Sequence, residues 1–243
     1  GAGRHGAGVR SVLPPFYKEG SIRPCTMCVC KMSMWSLPLT GAGLVGSDGE
    51  THNGCFDISY LTMMPNMTVM APKNIWELSD MMKFAIRAEG PVAVRYPRGE
   101  AYDGLREYRA PIELGRSEVI ARGGKVALLA LGSMVRTAEQ VYLALKEKGR
   151  EVTFVNMRFA KPLDTRLLDE LAGDHSLFVT MEENNRKGGL GEQISAYMNG
   201  SNVRVRIVSV GDRFVEHGDV DSWKRKLGMD VDSILRLIEE EER

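Results

Sequence analysis

The sequence predicts an α/β protein of two units, each built on a mainly parallel sheet with helices packed against it. Three observations predict it. From about Gly43 onward, short apolar runs alternate with segments of helical period. The runs carry little internal polarity, as strands covered on both faces do. A polar, turn-rich stretch at 98–124 then divides the alternation in two.

The elements follow in order. "MTVMAP" (67–72) is a short apolar run closed by a proline and reads as a buried strand. "NIWELSDMMKFAIRAEG" (74–90) places Ile75, Leu78, Met81, Met82, Ala85 and Ile86 at helical spacing and stops at Gly90. "PVAVRYP" (91–97) is the next strand, and 98–124 is a linker holding a few short strands. A second unit opens with the continuous apolar strand "KVALLALGS" (125–133), followed by an amphipathic helix (135–149) and the strand "EVTFVNM" (151–157). "LDTRLLDELAG" (163–173) is a helix after Pro162, with its cap near Asp164, and "SLFVTMEE" (176–183) is a strand. Helix 190–200, strand 203–211 and helix 232–242 complete the pattern. The units are expected at 42–110 and 120–243. Residues 1–41 stand apart: prolines at 14, 15, 24 and 38 interrupt them and no period is sustained.

Composition removes several classes of function. The hydrophobic share of 43% supports sizeable cores. Lys plus Arg and Asp plus Glu cancel at 32 each, without the basic surplus of a nucleic-acid binder. No apolar run is long enough for a membrane span and no charged-then-apolar leader opens the chain, so a soluble, cytoplasmic protein is expected. Cys25, Cys28, Cys30 and Cys55 include one Cys-x-x-Cys pair, but no second pair at ligand spacing, so no metal centre is expected from them.

The polar constellations carry what chemistry the sequence offers. In "GSDGETHNGCFDISYL" (46–61), glycines at 46, 49 and 54 allow tight turns and close approach to a ligand. Asp48 and His52 lie four residues apart in this loop, so both can face one pocket, and an imidazole there can move a proton near neutral pH. A polar surface turn explains the same letters equally well. "RYPRGE" (95–100) puts Arg95 and Arg98 after a strand, where ligands of open α/β sheets bind and a guanidinium fork suits phosphate or carboxylate; a solvated pair is the plainer reading. "LALGSMVRTA" (129–138) lacks G-x-G-x-x-G and reads as a tight strand-to-helix turn. Glu182 and Glu183 read as architectural or interfacial, and His217 in "GDRFVEHGD" (211–219) as a loop or subunit contact.

Taken together, "AGLVGSDGETHNGCFDISYLTMMPNMTVMAPKN", "GPVAVRYPRGE", "VNMRFAKPLD" and "TMEENNRKGGLGEQI" resemble the 1-deoxy-D-xylulose-5-phosphate synthase family, from about residue 42 to the end. Transketolases and the beta subunits of oxo-acid dehydrogenases share the domain plan. The resemblance implies part of a pyrimidine-binding domain at 42–110, followed by a transketolase-type C-terminal domain at 120–243. It implies condensation of pyruvate with glyceraldehyde 3-phosphate with loss of carbon dioxide, at the start of the non-mevalonate isoprenoid route. Thiamine diphosphate held with Mg2+ is the implied cofactor, and a homodimer the implied assembly. Asp48 and His52 match the family's active-site aspartate and histidine, and Arg98 its phosphate-holding arginine. Arg95 is expected to be structural, and no cofactor ligand is assigned.

The departures from the family shape two further expectations. The domain bearing the diphosphate and magnesium motif, and the glutamate that protonates the cofactor's pyrimidine, do not appear in this sequence, so the chain alone is expected to be inactive. Before "AGLVG" the family carries a strand ending in D-R, where this chain reads "WSLPLTG". Started at the third base of the Lys31 codon, permitted codons give "NVHVVFALDR", so residues before about Gly41 are expected to be out of frame. Alternative readings are a transketolase-like subunit that works with a separate N-terminal chain, and a non-catalytic dimerisation module.

Overall fold

The computed structural model describes residues 36–46, 49–50 and 52–242. Two sheets organise them. The first runs β1 (Ser36–Thr40), β3 (Val92–Tyr96), β2 (Thr68–Met70) and β7 (Phe159–Lys161) in spatial order. β1, β3 and β2 are parallel, and β7 pairs antiparallel with β2. β1 lies at the edge, the place in a sheet that tolerates Pro38. The second sheet runs β4 (Glu118–Ala121), β6 (Thr153–Asn156), β5 (Val126–Ala130), β8 (Leu177–Met181) and β9 (Arg204–Val208). All its pairs are parallel except β4 with β6. A parallel sheet finished by one antiparallel edge strand is a common α/β arrangement.

Seven helices lie among these strands within the described residues: α1 (Asp57–Thr62), α2 (Ile75–Arg87), α3 (Met134–Glu147), α4 (Thr165–Asp174), α5 (Leu190–Tyr197), α6 (Val220–Lys226) and α7 (Val231–Glu241). Their starts are chemically marked. Asn74, Asp164, Asp219 and Asp230 each accept a backbone N–H of the following first turn, which satisfies one orphan donor. β5 and β8 are buried at every position, which is why the sequence shows them as unbroken apolar runs.

α2 sits differently from its apolar periodicity. Ile75 and Ile86 are half exposed, whereas Glu77, Met81 and Ala85 face inward. The cause is Glu77, whose carboxylate accepts from Arg158 Nε at 2.7 Å and Lys73 Nζ at 3.2 Å. Glu118 accepts from the same two cations at 2.8 and 2.6 Å, and Asn156 Nδ2 donates to Glu77 at 2.9 Å. Two acids balance two bases in a buried, closed network that draws α2 round toward the second sheet.

β7 was not legible as a strand, because only three residues form it. It belongs in sequence to the second half yet completes the first sheet, and one apolar core runs across both sheets from Ile58 and Val69 to Leu129, Val155 and Phe178.

Candidate active site

β1 and β3 are parallel neighbours, so the segments following them leave from the same edge of the first sheet. After β1 comes the glycine-rich loop 41–56; after β3 comes Arg98. The two are stitched together at their roots. Ala42 N donates to Tyr96 O at 3.1 Å, Gly43 N to Gly54 O at 3.0 Å, and Arg95 Nη2 to Gly54 O at 3.2 Å. His52 is exposed, in a turn where its N–H reaches Gly49 O at 3.2 Å. Arg98 is also exposed, two residues beyond Tyr96. Asp48 lies outside the described residues, as do Cys25, Cys28 and Cys30.

Beneath the loop lies a buried charge cluster. Arg95 Nε donates to Asp57 Oδ2 at 2.8 Å, with both side chains nearly inaccessible, and Arg95 Nη2 reaches Glu183 O at 3.3 Å. The Glu183 carboxylate accepts from Leu44 N at 3.1 Å and from Lys224 Nζ at 2.8 Å. Glu182 accepts from Leu190 N and Gly191 N, both at 2.8 Å, at the start of α5. Burial pushes the Glu182 carboxyl up to about 7, against the pull of those two amides and of Arg95. Burial likewise pushes the Cys55 thiol up to about 12, aided by Glu183. Gly43 has φ +80, and a Cβ there would run into the Glu183 carboxylate, so only glycine fits this crossing.

This cluster fills the crevice where an α/β sheet usually takes its ligand. That crevice lies beyond the carboxyl ends of β5 and β8, at residues 131–134 and 182–185. There Gly132 faces Ala71, with Arg95 Nη1 close behind, and Asn185 N donates to Cys55 O. The strand-to-helix turn at 131–134 is therefore covered by the chain itself, and Glu182 and Glu183 are interfacial, as their sequence context suggested. Asp57, Glu182 and Asn53 were not singled out from the sequence as a linked set. The one signal was Arg95 itself, a cation inside the strand "VAVRY", which requires a buried partner.

Among the described residues no three His, Cys, Asp or Glu side chains come together as a metal would require. Mg2+ beside a diphosphate takes free hard-oxygen donors, whereas the buried carboxylates here, Asp57, Glu182 and Glu183, are already engaged by Arg95, by backbone amides and by Lys224, so these residues do not fit the magnesium–diphosphate group that the resemblance implies. No helix among the described residues is long and apolar enough to cross a membrane.

Comparisons with known proteins bear on this geometry. The transketolase pyrimidine binding domain family matches residues 25–103, and the transketolase C-terminal domain family residues 115–234. The 1-deoxy-D-xylulose-5-phosphate synthase of Lachnoclostridium phytofermentans is 45% identical over 215 residues, which is 87% of this chain and 34% of that protein. The same-named protein of Clostridium tetani is 40% identical over 199 residues, 81% of this chain and 32% of that one. The chain thus spans about a third of the length of the curated relatives it matches. A solved split-gene transketolase, an inactive beta4 tetramer, aligns with TM-score 0.78 and 25% identity over 93% of this chain and 72% of its own. The transketolase of Campylobacter jejuni shares the fold, at TM-score 0.74 and 18% identity over 93% of this chain and 34% of its own.

Proposed function

Because the chain belongs to the transketolase-like enzymes, in the branch of the 1-deoxy-D-xylulose-5-phosphate synthases, we propose that it supplies the aldehyde-binding side of such an active site. The reaction is the condensation of pyruvate with glyceraldehyde 3-phosphate with loss of carbon dioxide. The observation that carries the reading is the bonded root shared by the two segments: Ala42 of the His52 loop donates to Tyr96 O, and Arg95 Nη2, three residues before Arg98, reaches Gly54 O, two residues after His52. Arg98 offers the aldehyde's phosphate a two-pronged donor fork. His52 donates to, or takes a proton from, a substrate oxygen, and Asp48 holds a second one. Thiamine diphosphate would supply the carbanion chemistry when bound and Mg2+ would anchor its diphosphate; no diphosphate or metal ligand is assigned among the described residues.

Two parts of the reading extend further. The whole protein works as a homodimer in the cytoplasm. Residues before about Gly41 are out of frame, and an unbroken frame through codon 41 in the gene would remove that part. The units run 42–110 and 120–243.

A second reading is favoured by the likeness to the split-gene transketolase: a subunit that acts with a separate N-terminal chain. A steady-state assay with pyruvate, glyceraldehyde 3-phosphate, thiamine diphosphate and Mg2+ tests both. The chain alone is expected to give negligible turnover. Addition of the portion of a relative that this chain does not match is expected to give turnover, which His52→Ala and Arg98→Ala then abolish. Turnover by the chain alone, or turnover of the mixture indifferent to both substitutions, would refute the proposal.

A further inference from the structure

The loop that carries His52 contains three glycines between 46 and 54, and glycines alone give a loop no fixed shape. One side chain supplies what they lack. Asn53 Oδ1 accepts from Val45 N at 2.8 Å, and Asn53 Nδ2 donates to Gly49 O at 3.1 Å and to Val215 O at 2.8 Å. The first bond closes the entrance of the loop, the second gathers its middle, and the third ties it to the turn 211–219 of the second half. That turn returns the contact: Gly218 N donates to Gly46 O at 3.0 Å. The partners also fix the orientation of the amide, since an N–H must face its oxygen and carbonyls its nitrogen.

We infer that Asn53 is a positioning residue for His52, tying Val45 and Gly49 of the loop to Val215 of the 211–219 turn. The inference rests on the reading that His52 belongs to the active site. It also gives "GDRFVEHGD" a task within the chain: the turn braces the loop from the far side. Only a group that accepts and donates at once can make all three bonds. A carboxylate of the same shape keeps the Val45 bond but sets negative oxygens against the Gly49 and Val215 carbonyls.

The test is backbone amide exchange in the full chain without ligand, with the His52 ring followed by NMR, for wild type, Asn53→Ala and Asn53→Asp. Both variants are expected to accelerate exchange at His52 and Gly218 by roughly tenfold or more, through loss of the bridging bonds. Asn53→Ala is expected to move the His52 ring signals toward those of an unstructured peptide. Amides of Leu128 and Val179 in the central strands should keep their protection. Unchanged exchange at Gly218, retained protection in Asn53→Asp, an unmoved His52 ring, or equal acceleration of central and loop amides would each overturn the inference. No substrate enters this experiment. If glyceraldehyde 3-phosphate failed to bind the wild type, the functional reading would fall and the bracing result would still stand or fall by itself.

Discussion

At the scale of single residues, the most informative pair is the two arginines near the end of β3. Their letters are alike and only three positions apart, yet Arg95 is buried against Asp57 while Arg98 is exposed. The letters alone favoured a solvated pair, and only the family resemblance made Arg95 structural; its burial follows from the need to pair a cation inside a strand. Neither reading could find the partner, since Asp57 is 38 positions away and in another element. Asp57→Ala leaves a buried guanidinium without its counter-charge and is expected to cost ~3–5 kcal/mol in chemical denaturation. Glu182 gives a second prediction. Its folded pKa lies above the usual carboxyl value, so the folded state holds this proton more tightly than the unfolded chain. The stability it contributes is complete at acid pH and is lost as pH rises through about 7. Urea titrations across pH 5 to 8 should show Glu182→Gln gaining on the wild type as pH rises; a constant difference would contradict this. His52 was legible only as a candidate, because a glycine-rich polar loop looks the same whether or not it binds anything.

At the scale of elements, the apolar strands and the capped helices were readable because burial and capping leave local marks. The apolar run 125–133 became β5, and Asp164 does cap α4. What escaped is what depends on distant chain. β7 is three residues that become a strand only because β2 offers an open edge, and α1 starts inside a stretch whose glycines read as loop. The inward face of α2 was misjudged at both ends because Glu77 is drawn in by Arg158 and Lys73. The crossing of Gly43 with Glu183 makes the matching prediction at this scale. Gly43→Ala combines a left-handed backbone with a collision, and is expected to cost at least ~1–3 kcal/mol, read as a lowered midpoint in thermal melting. An unchanged midpoint would mean that the loop is not seated on the second half.

At the scale of the whole molecule, the two sheets share a core, a completed strand and two buried charge networks. The alternation of elements announced two α/β units, but no local pattern announces that one supplies a strand to the other. A chain joined in this way is expected to unfold as one unit: calorimetry should show a single transition with equal calorimetric and van't Hoff enthalpies, and two resolved transitions would contradict it. The interlock also bears on function, because Glu182, Glu183 and Arg95 occupy the carboxyl ends of β5 and β8, and the proposed ligand edge is that of the first sheet. The direct measurement is calorimetric titration with glyceraldehyde 3-phosphate and, in parallel, with glyceraldehyde lacking the phosphate. Binding that requires the phosphate, is lost in Arg98→Ala and is weakened in His52→Ala is the predicted result. Absence of phosphate-dependent binding, or binding that Arg98→Ala leaves intact, would contradict the account.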